Sequence, residues 1–182
     1  MKSIKEISNI IPISYNDKEI IFLSSEYLNK YLNILTSPWY NRYMDFSFTN
    51  DISRKNLRRS LKVLIDGYSE LIPNTYEVRL LLINKYTKTV IGGCSLNEHE
   101  PFNTIEISYF VLPEFQHMGI AKEMIGKLIS TLRNSNIPYK EIEAVIMQSN
   151  TASINMCKAL GFEERGRFIG KHTTNIRLGL AR

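Results

Sequence analysis

The stretch PEFQHMGIA, residues 113–121, combines residue types that suit an anion-binding site. Gln116, Gly119 and Ala121 lie in a short polar turn directly ahead of an amphipathic run. A helix that begins there presents backbone N–H groups without intrahelical partners, and a glycine lets a ligand approach the backbone closely. The pattern favours a phosphate or pyrophosphate, although an ordinary helix start also fits. Neither GxxxxGK(S/T) nor GxGxxG occurs.

In the stretch TIEISYFVL, residues 104–112, the residue types alternate as they do in a strand with two different faces. One face carries Ile105, Ile107, Tyr109 and Val111, and the other carries Glu106, Ser108 and Phe110. A carboxylate on such a strand is a candidate general base. The alternative for Glu106 is a surface carboxylate, or one that orients a substrate.

The stretch SNTASINMCKALGF, residues 149–162, predicts a short helix that starts near Asn150 and ends at Gly161. Asn150 suits an N-cap, and its amide can also donate and accept hydrogen bonds with a ligand. Cys157 is a possible nucleophile, but no histidine neighbours it in sequence to lower its pKa. A place in the core is the better interpretation for that cysteine.

Other chemistry-bearing residues give weaker signals. The two cysteines have no CxxC spacing, and His99, His117 and His172 lack metal-ligand spacing, so we expect no metal site and no disulfide. Trp39, Tyr40 and Tyr43 are clustered in the sequence, and packing is the usual role of such aromatic clusters.

The composition is that of a globular protein of ordinary size. The net charge of +5 is spread thinly and contains no basic run, so we expect no nucleic-acid partner. No apolar stretch is long enough to cross a bilayer, and the N-terminus lacks the apolar core of a signal peptide. The sequence therefore predicts a cytoplasmic protein with no membrane partner.

The apolar periodicity predicts elements that would position these stretches. Strands are expected at 19–23, 76–83, 89–96, 104–112, 142–147, 163–168 and 174–180. Helices are expected from Ser24 or Ser25 to before Pro38, from Asp51 or Ser53 to Gly67, along 121–132, and from Asn150 or Thr151 to Gly161. Residues 38–48 are expected to be irregular. This order predicts one mixed α/β domain over residues 1–182, with an antiparallel meander and at least one strand-helix-strand crossover.

Two of these stretches resemble the signatures of the GNAT superfamily of acetyl-CoA-dependent N-acetyltransferases. Gln116, Gly119 and Ala121 match Q/R-x-x-G-x-G/A directly after a strand. Asn150 and Ser153, with Gly161-Phe162, match N-x-x-A/S followed eight residues later by G-F. The resemblance covers residues 19–180 and is similar to the branch of ribosomal-protein N-terminal acetyltransferases. It implies a central, mostly antiparallel mixed sheet flanked by helices.

The resemblance also implies roles for individual residues. The pyrophosphate of coenzyme A (CoA) is expected on the backbone amides of Gln116, His117, Met118, Gly119, Ile120, Ala121 and Lys122. The pantetheine arm is expected to pair with the backbone of Phe110, Val111 and Leu112, and to hydrogen-bond Asn150. Glu106 is the expected base, acting on the amine directly or through water.

One departure from the family pattern concerns the acid. Many members have a tyrosine seven residues after the motif asparagine, where this chain has Cys157. Ser153 is then the better candidate for contact with the departing thiolate, as an acid or as a hydrogen-bond donor.

The resemblance implies transfer of acetyl from acetyl-CoA to a primary amine by direct attack in a ternary complex. The acceptor is a protein N-terminus or a small amine, and the protein is a monomer or homodimer without a metal. The alternative outside enzymes is an acyl-CoA sensor or a partner-binding module with little turnover.

Overall fold

The computed structural model describes residues 3–43, 51–70, 77–99, 102–170 and 173–182, with the backbone alone at 3–5, 51–53 and 68–70. Six helices lie in these ranges: α1 Ser3–Ser8, α2 Leu28–Leu35, α3 Pro38–Asn41, α4 Asp51–Glu70, α5 Ile120–Arg133 and α6 Thr151–Ala159. Eight strands lie there: β1 Ile13–Tyr15, β2 Lys18–Phe22, β3 Glu77–Asn84, β4 Val90–His99, β5 Thr104–Val111, β6 Glu141–Met147, β7 Glu163–Ile169 and β8 Thr174–Ala181.

The eight strands form one sheet in the order β1-β2-β3-β4-β5-β6-β8-β7. All neighbouring pairs are antiparallel except β5 and β6, which are parallel and joined through α5. The predicted mixed, mostly antiparallel sheet with a strand-helix-strand crossover is therefore confirmed.

Hydrophobic side chains on the two faces of this sheet form two separate clusters. The face that packs on α5 and α6, here the α5–α6 face, includes Ile105, Ile107 and Val111 of β5. The face that packs on α2 and α4, here the α2–α4 face, includes Phe110 and the following Leu112. The predicted alternation of β5 is confirmed, because successive side chains of a strand point to opposite faces.

The sheet opens between its two central strands. β5 pairs with β6 only at Thr104–Glu141, Ile105–Ile142 and Glu106–Glu143. Beyond these pairs, residues 107–111 of β5 have no strand partner on that side among the described residues, although they remain paired with β4. We call the opening the β5–β6 cleft. It ends at Glu106 on one side and faces the start of α5 on the other.

Two glycines of β4 allow close packing beside the cleft. A Cβ atom on Gly92 would lie 2.5 Å from the carbonyl oxygen of Phe110. A Cβ atom on Gly93 would lie 2.6 Å from the carbonyl oxygen of Leu80 and 2.9 Å from the Phe110 ring. A side chain at Gly92 would therefore collide with the backbone of β5, and one at Gly93 would collide with the backbone of β3 and the Phe110 ring.

Several predicted elements differ from the structure. Helix α1 and strand β1 were not predicted, because their apolar runs are too short to show a period. Tyr27 rather than Ser24 or Ser25 is the N-cap of α2. Residues 38–41 form helix α3 inside the segment predicted to be irregular, since proline is accepted in a first helical turn. Gly67 does not end α4, which continues to Glu70.

Other parts of the sequence prediction lie outside the described residues, namely 44–48 of the irregular segment, Tyr76 and His172. Across the described ranges, no helix is both long enough and apolar enough to cross a membrane. Those ranges also contain no group of three or more His, Cys, Asp or Glu side chains arranged to hold a metal ion.

Candidate active site

The loop before α5 exposes a row of backbone N–H groups. His117 and Gly119 both adopt positive φ angles, 62° and 76°. The first backbone bond of α5 is the donation from Glu123 N–H to the Gly119 carbonyl oxygen, 3.1 Å. The N–H groups from His117 to Lys122 therefore have no hydrogen-bond acceptor among the described residues. Six consecutive free donors at the positive end of a helix are an arrangement that suits an anion.

Gly119 has a specific reason to be glycine. Its positive φ is a conformation that other residues adopt only at a cost, and nothing in the described protein lies within 4 Å of the point that a Cβ atom would occupy. The space above this residue is therefore open to a ligand. Met118 and His117 are exposed there, so their side chains are not needed to build the loop.

Gln116 contributes its side chain and not its N–H group. Its backbone N–H donates to the Pro113 carbonyl oxygen, 3.3 Å. Its side-chain Nε2 donates to the Val111 carbonyl oxygen, 2.9 Å. Gln116 thus fastens the loop to the end of β5 and lies outside the set of free amides.

Along the edge of β5 that lines the cleft, the main-chain N–H and C=O groups of every second residue face the cleft. Leu112 N–H donates to the Ile91 carbonyl oxygen, 2.9 Å, so the main-chain groups of Leu112 face β4. Because these groups alternate in direction along a strand, those of Phe110 also face β4, and those of Tyr109 and Val111 face the cleft. Of the three residues expected to pair with a ligand, Val111 is the one whose N–H points into the cleft.

The first turn of α6 brings Asn150 and Ser153 to the same helix face. Asn150 is the N-cap, and its Oδ1 accepts from Ser153 N–H, 3.2 Å. Its amide nitrogen has no acceptor among the described residues. The capping role is therefore confirmed, and the two amide hydrogens stay available to a ligand.

Tyr109 connects β5 to this face of α6, a role that the sequence did not predict. Its hydroxyl lies 3.4 Å from the Ser153 carbonyl oxygen and 3.7 Å from Cys157 Sγ. Burial raises the pKa of the Tyr109 hydroxyl, and the nearby Cys157 raises it further. Burial also raises the pKa of the Cys157 thiol, which argues against a nucleophilic role and agrees with its predicted place in the core.

Glu106 lies at the closed end of the cleft on the α2–α4 face, opposite to Tyr109. Its Oε2 is 3.1 Å from His99 Nε2, and the side chains of His99 and Glu106 are 46% and 29% exposed. The spacing of the histidines in the sequence does not indicate this contact. In the observed register Asn97 pairs with Glu106 and His99 pairs with Thr104, so His99 reaches Glu106 diagonally across the hairpin, from three residues beyond the predicted strand 89–96.

Aromatic side chains cover the α2–α4 face beside the cleft. The rings of Tyr31, Trp39 and Tyr40 surround Phe110, with centroid distances of 6.0, 6.4 and 5.7 Å. Tyr43 lies apart and exposed, beneath the Arg42 guanidinium. Trp39 and Tyr40 therefore pack, as aromatic clusters usually do, and they also form a wall on the side where Glu106 lies.

The cleft therefore has different chemistry on its two faces. The carboxylate of Glu106 and the His99 ring lie on the α2–α4 face. The hydroxyls of Tyr109 and Ser153 and the amide of Asn150 lie on the side of α6. A carbonyl carbon held in the cleft would be approached by a nucleophile from the first face, and its leaving group would depart towards the second.

One protein-family model matches most of the chain. It describes the acetyltransferase (GNAT) family, and the match covers residues 31–162. None of the curated protein sequences matches the chain at a significant level.

Solved structures with the same fold cover almost the whole chain. Ribosomal-protein-S5-alanine acetyltransferase from Vibrio fischeri superposes with a TM-score of 0.71 at 16% identity, covering 94% of this chain and 96% of that one. Spermidine N-acetyltransferase from Vibrio cholerae, in complex with CoA and spermine, gives a TM-score of 0.71 at 19% identity and covers 91% and 95%. An acetyltransferase from Salmonella typhimurium that modifies the N-terminal serine of ribosomal protein L7/L12 gives 0.70 at 16% identity and covers 92% and 96%.

Proposed function

The chain belongs to the acetyltransferase (GNAT) family, and from that premise we propose that it transfers the acetyl group of acetyl-CoA to a primary amine by direct attack in a ternary complex. The observation that carries this proposal is the continuity of two sets of backbone groups, the free N–H groups before α5 and the cleft edge of β5, on which the Val111 carbonyl oxygen accepts from Gln116 Nε2. The free N–H groups from His117 to Lys122 stand at the open end of the cleft, and the unpaired edge of β5 leads inward from them.

These groups match the successive parts of acetyl-CoA, the proposed acetyl donor. A pyrophosphate suits six free amides at a helix N-terminus, and the exposed Lys122 adds a positive charge. The amide-containing pantetheine arm suits the edge of β5, to which it can bind as an added strand. Asn150 offers its amide hydrogens to a carbonyl of the arm from the other wall of the cleft.

Glu106 is the proposed general base. An attacking amine must be neutral, so a carboxylate on the side of attack accepts its proton. Glu106 and the part of the cleft beside Tyr109 are three residues apart, about 10 Å along a strand. A water molecule bridging the amine and Glu106 spans that gap, and the exposed His99 offers the proton a route to solvent.

Ser153 is the proposed hydroxyl donor to the thiolate that departs. Its N–H is held by the Asn150 cap, which fixes the first turn of α6, the turn that carries Ser153. A serine hydroxyl is a weak acid, so we assign it a hydrogen bond to sulfur and not the transfer of a proton.

The acceptor is a protein N-terminus or a small amine. The similar structures include enzymes named for ribosomal proteins and one named for spermidine. Cys157, at the position where many family members have tyrosine, favours a second candidate function, an acyl-CoA sensor with little turnover.

The test combines ligand binding with an acceptor screen. We expect CoA to raise the melting temperature, because a ligand that binds only the native state stabilises it. Peptides with free N-termini, polyamines and amino acids are then supplied with acetyl-CoA, and release of free thiol is measured. We expect Glu106→Gln to lower kcat by about 10²- to 10⁴-fold and to flatten its rise with pH, while leaving the CoA-induced melting shift unchanged.

Glu143→Gln is the matched control, because Glu143 is the register partner of Glu106 on β6 and its change removes the same charge. Equal losses in the two variants would assign the effect to charge and remove Glu106 as the base. A CoA-induced shift without thiol release from any acceptor would favour the sensor. No shift at saturating CoA would exclude both functions.

A further inference from the structure

The Tyr109 hydroxyl makes only weak hydrogen bonds. An O–H···O hydrogen bond is normally about 2.7–2.8 Å long, whereas this hydroxyl is 3.4 Å from the Ser153 carbonyl oxygen. Its other contact, 3.7 Å to Cys157 Sγ, is with a thiol, a weak hydrogen-bonding group. The tyrosine is held in place on both sides, by its backbone in β5 and by its ring in the cluster on the α5–α6 face. It can therefore turn its proton to a better acceptor at little cost.

The position of this hydroxyl follows from the path of the cleft. Tyr109 and Val111 both direct their main-chain groups into the cleft, and they are about 6.8 Å apart along the strand. A pantetheine arm contains two amides in series, which can pair with Val111 first and Tyr109 second as the arm runs inward from α5. The sulfur follows the second amide, so it comes to the level of Tyr109, between β5 and the face of α6 that carries Ser153 and Cys157.

We propose that the Tyr109 hydroxyl donates a hydrogen bond to the sulfur of the departing coenzyme A, an inference that rests on the proposed function. The small side chain of Cys157 leaves this hydroxyl without a competing aromatic ring on α6. Tyr109 thereby supplies, from β5, a second hydroxyl beside that of Ser153 at this face of α6.

The step balances without transfer of the tyrosine proton. The amine nitrogen bonds to the carbonyl carbon, the C–S bond breaks with its electron pair going to sulfur, and the amine proton goes to Glu106. Burial raises the pKa of Tyr109 above its ordinary value near 10, whereas the pKa of a thiol is ordinarily about 8.5. The proton therefore stays on the tyrosine oxygen, and coenzyme A leaves as a thiolate that takes its proton from water.

The test measures the bound thiol directly by Tyr109→Phe, which removes the hydroxyl and keeps the ring. A hydrogen bond to a charged group is worth about 1.5–3 kcal/mol, so we expect the bound coenzyme A thiol to titrate about one pH unit or more lower in the wild type than in the variant. The ultraviolet absorbance of the thiolate reports this titration. Cys157 interferes little, because burial raises the pKa of its thiol.

Tyr139→Phe is the matched control, since Tyr139 is also a buried tyrosine and its hydroxyl has no partner in the described ranges. We expect it to leave the titration of the bound thiol unchanged. In turnover, we expect Tyr109→Phe to lower kcat by about tenfold or more with the KM for acetyl-CoA unchanged.

Two results would overturn the inference. One is a bound thiol that titrates alike in the wild type and in Tyr109→Phe. The other, which needs only the wild type, is a melting shift from coenzyme A that does not grow with pH relative to the shift from desulfo-coenzyme A. If the wild type binds neither compound, it is the proposed function that fails.

Discussion

Asn150 carries two roles at one residue, and they can be separated by substitution. Asn150→Asp keeps an oxygen to accept from Ser153 N–H but has no amide hydrogens. We expect the free energy of unfolding to change by less than about 0.5 kcal/mol, because aspartate is as good an N-cap as asparagine. We expect the affinity for coenzyme A to fall about tenfold, the effect of losing one hydrogen bond.

Asn150→Ser is the neutral control for the charge of aspartate, and Asn150→Ala should lose both roles and about 1 kcal/mol of stability. Urea unfolding gives the stability and titration calorimetry gives the affinity. If coenzyme A binds Asn150→Asp and Asn150→Ser as tightly as the wild type, Asn150 is a cap and nothing more.

At the scale of single residues, the sequence predicted those site residues whose own type or position along the chain indicates their role. Gly119 and Asn150 stand at helix starts, where the residue type itself indicates the geometry, and Glu106 is the one charged residue of its strand. His99 and Tyr109 carry no such signal. Their contacts join residues that are seven and 44 positions apart, and only strand register and helix placement bring these together.

At the scale of the element, the start of α5 carries the proposed phosphate site. Gly119→Ala places a methyl group in open space but forces an unfavourable φ. We expect the protein without ligand to lose about 1 kcal/mol, the cost of a left-handed conformation. We expect the melting shift caused by coenzyme A to be lost, since the methyl group would stand where the phosphates approach.

Gly161→Ala is the control, because Gly161 has a similar φ of 91° but ends α6 away from the loop. It should cost similar stability and preserve the coenzyme A shift. Equal shifts in the two variants would place the pyrophosphate elsewhere. Thermal melting with and without coenzyme A measures both quantities.

Sequence patterns predicted elements well where an apolar period repeats several times. The helix predicted along 121–132, which is α5, and the alternation of β5 are examples. They failed where an element is short or where the expected boundary depended on a single residue. α3 has four residues, and α4 continues three residues past Gly67, since a glycine lowers helix propensity by only about 1 kcal/mol.

At the scale of the whole molecule, buried thiol and phenol groups make the free energy of unfolding decrease at alkaline pH. Burial raises the pKa of Cys94 from 9.0 to about 12. The folded protein keeps the thiol protonated while the unfolded chain ionises, so the stabilising effect is complete below about pH 9 and is lost as pH rises towards 12. We expect the free energy of unfolding to fall by up to about 1.4 kcal/mol per pH unit in this range.

Cys94→Ala removes this titration, and the variant should lose stability less steeply over the same range. Part of the decline should remain, because burial also raises the pKa of Tyr31. Urea unfolding at a series of pH values gives the slopes. The same slope in both proteins would mean that Cys94 does not govern the alkaline limit.

The sequence predicted the class of the sheet but not where it opens. The opening depends on β5 and β6 pairing for three residues and then separating, and both strands continue as regular apolar patterns past that point. No residue type along either strand marks the separation. The composition of the cleft walls could be anticipated from the motifs, whereas the cleft itself is a property of the assembled sheet.

The incomplete pairing of β5 with β6 divides the sheet into two hydrogen-bonded blocks, β1 to β5 and β6 with β8 and β7. A pantetheine arm in the cleft would act as a short non-peptide strand that continues the ladder from β5. On this view the acyl donor is also a structural component, one that adds to the three residue pairs between the two blocks each time it binds.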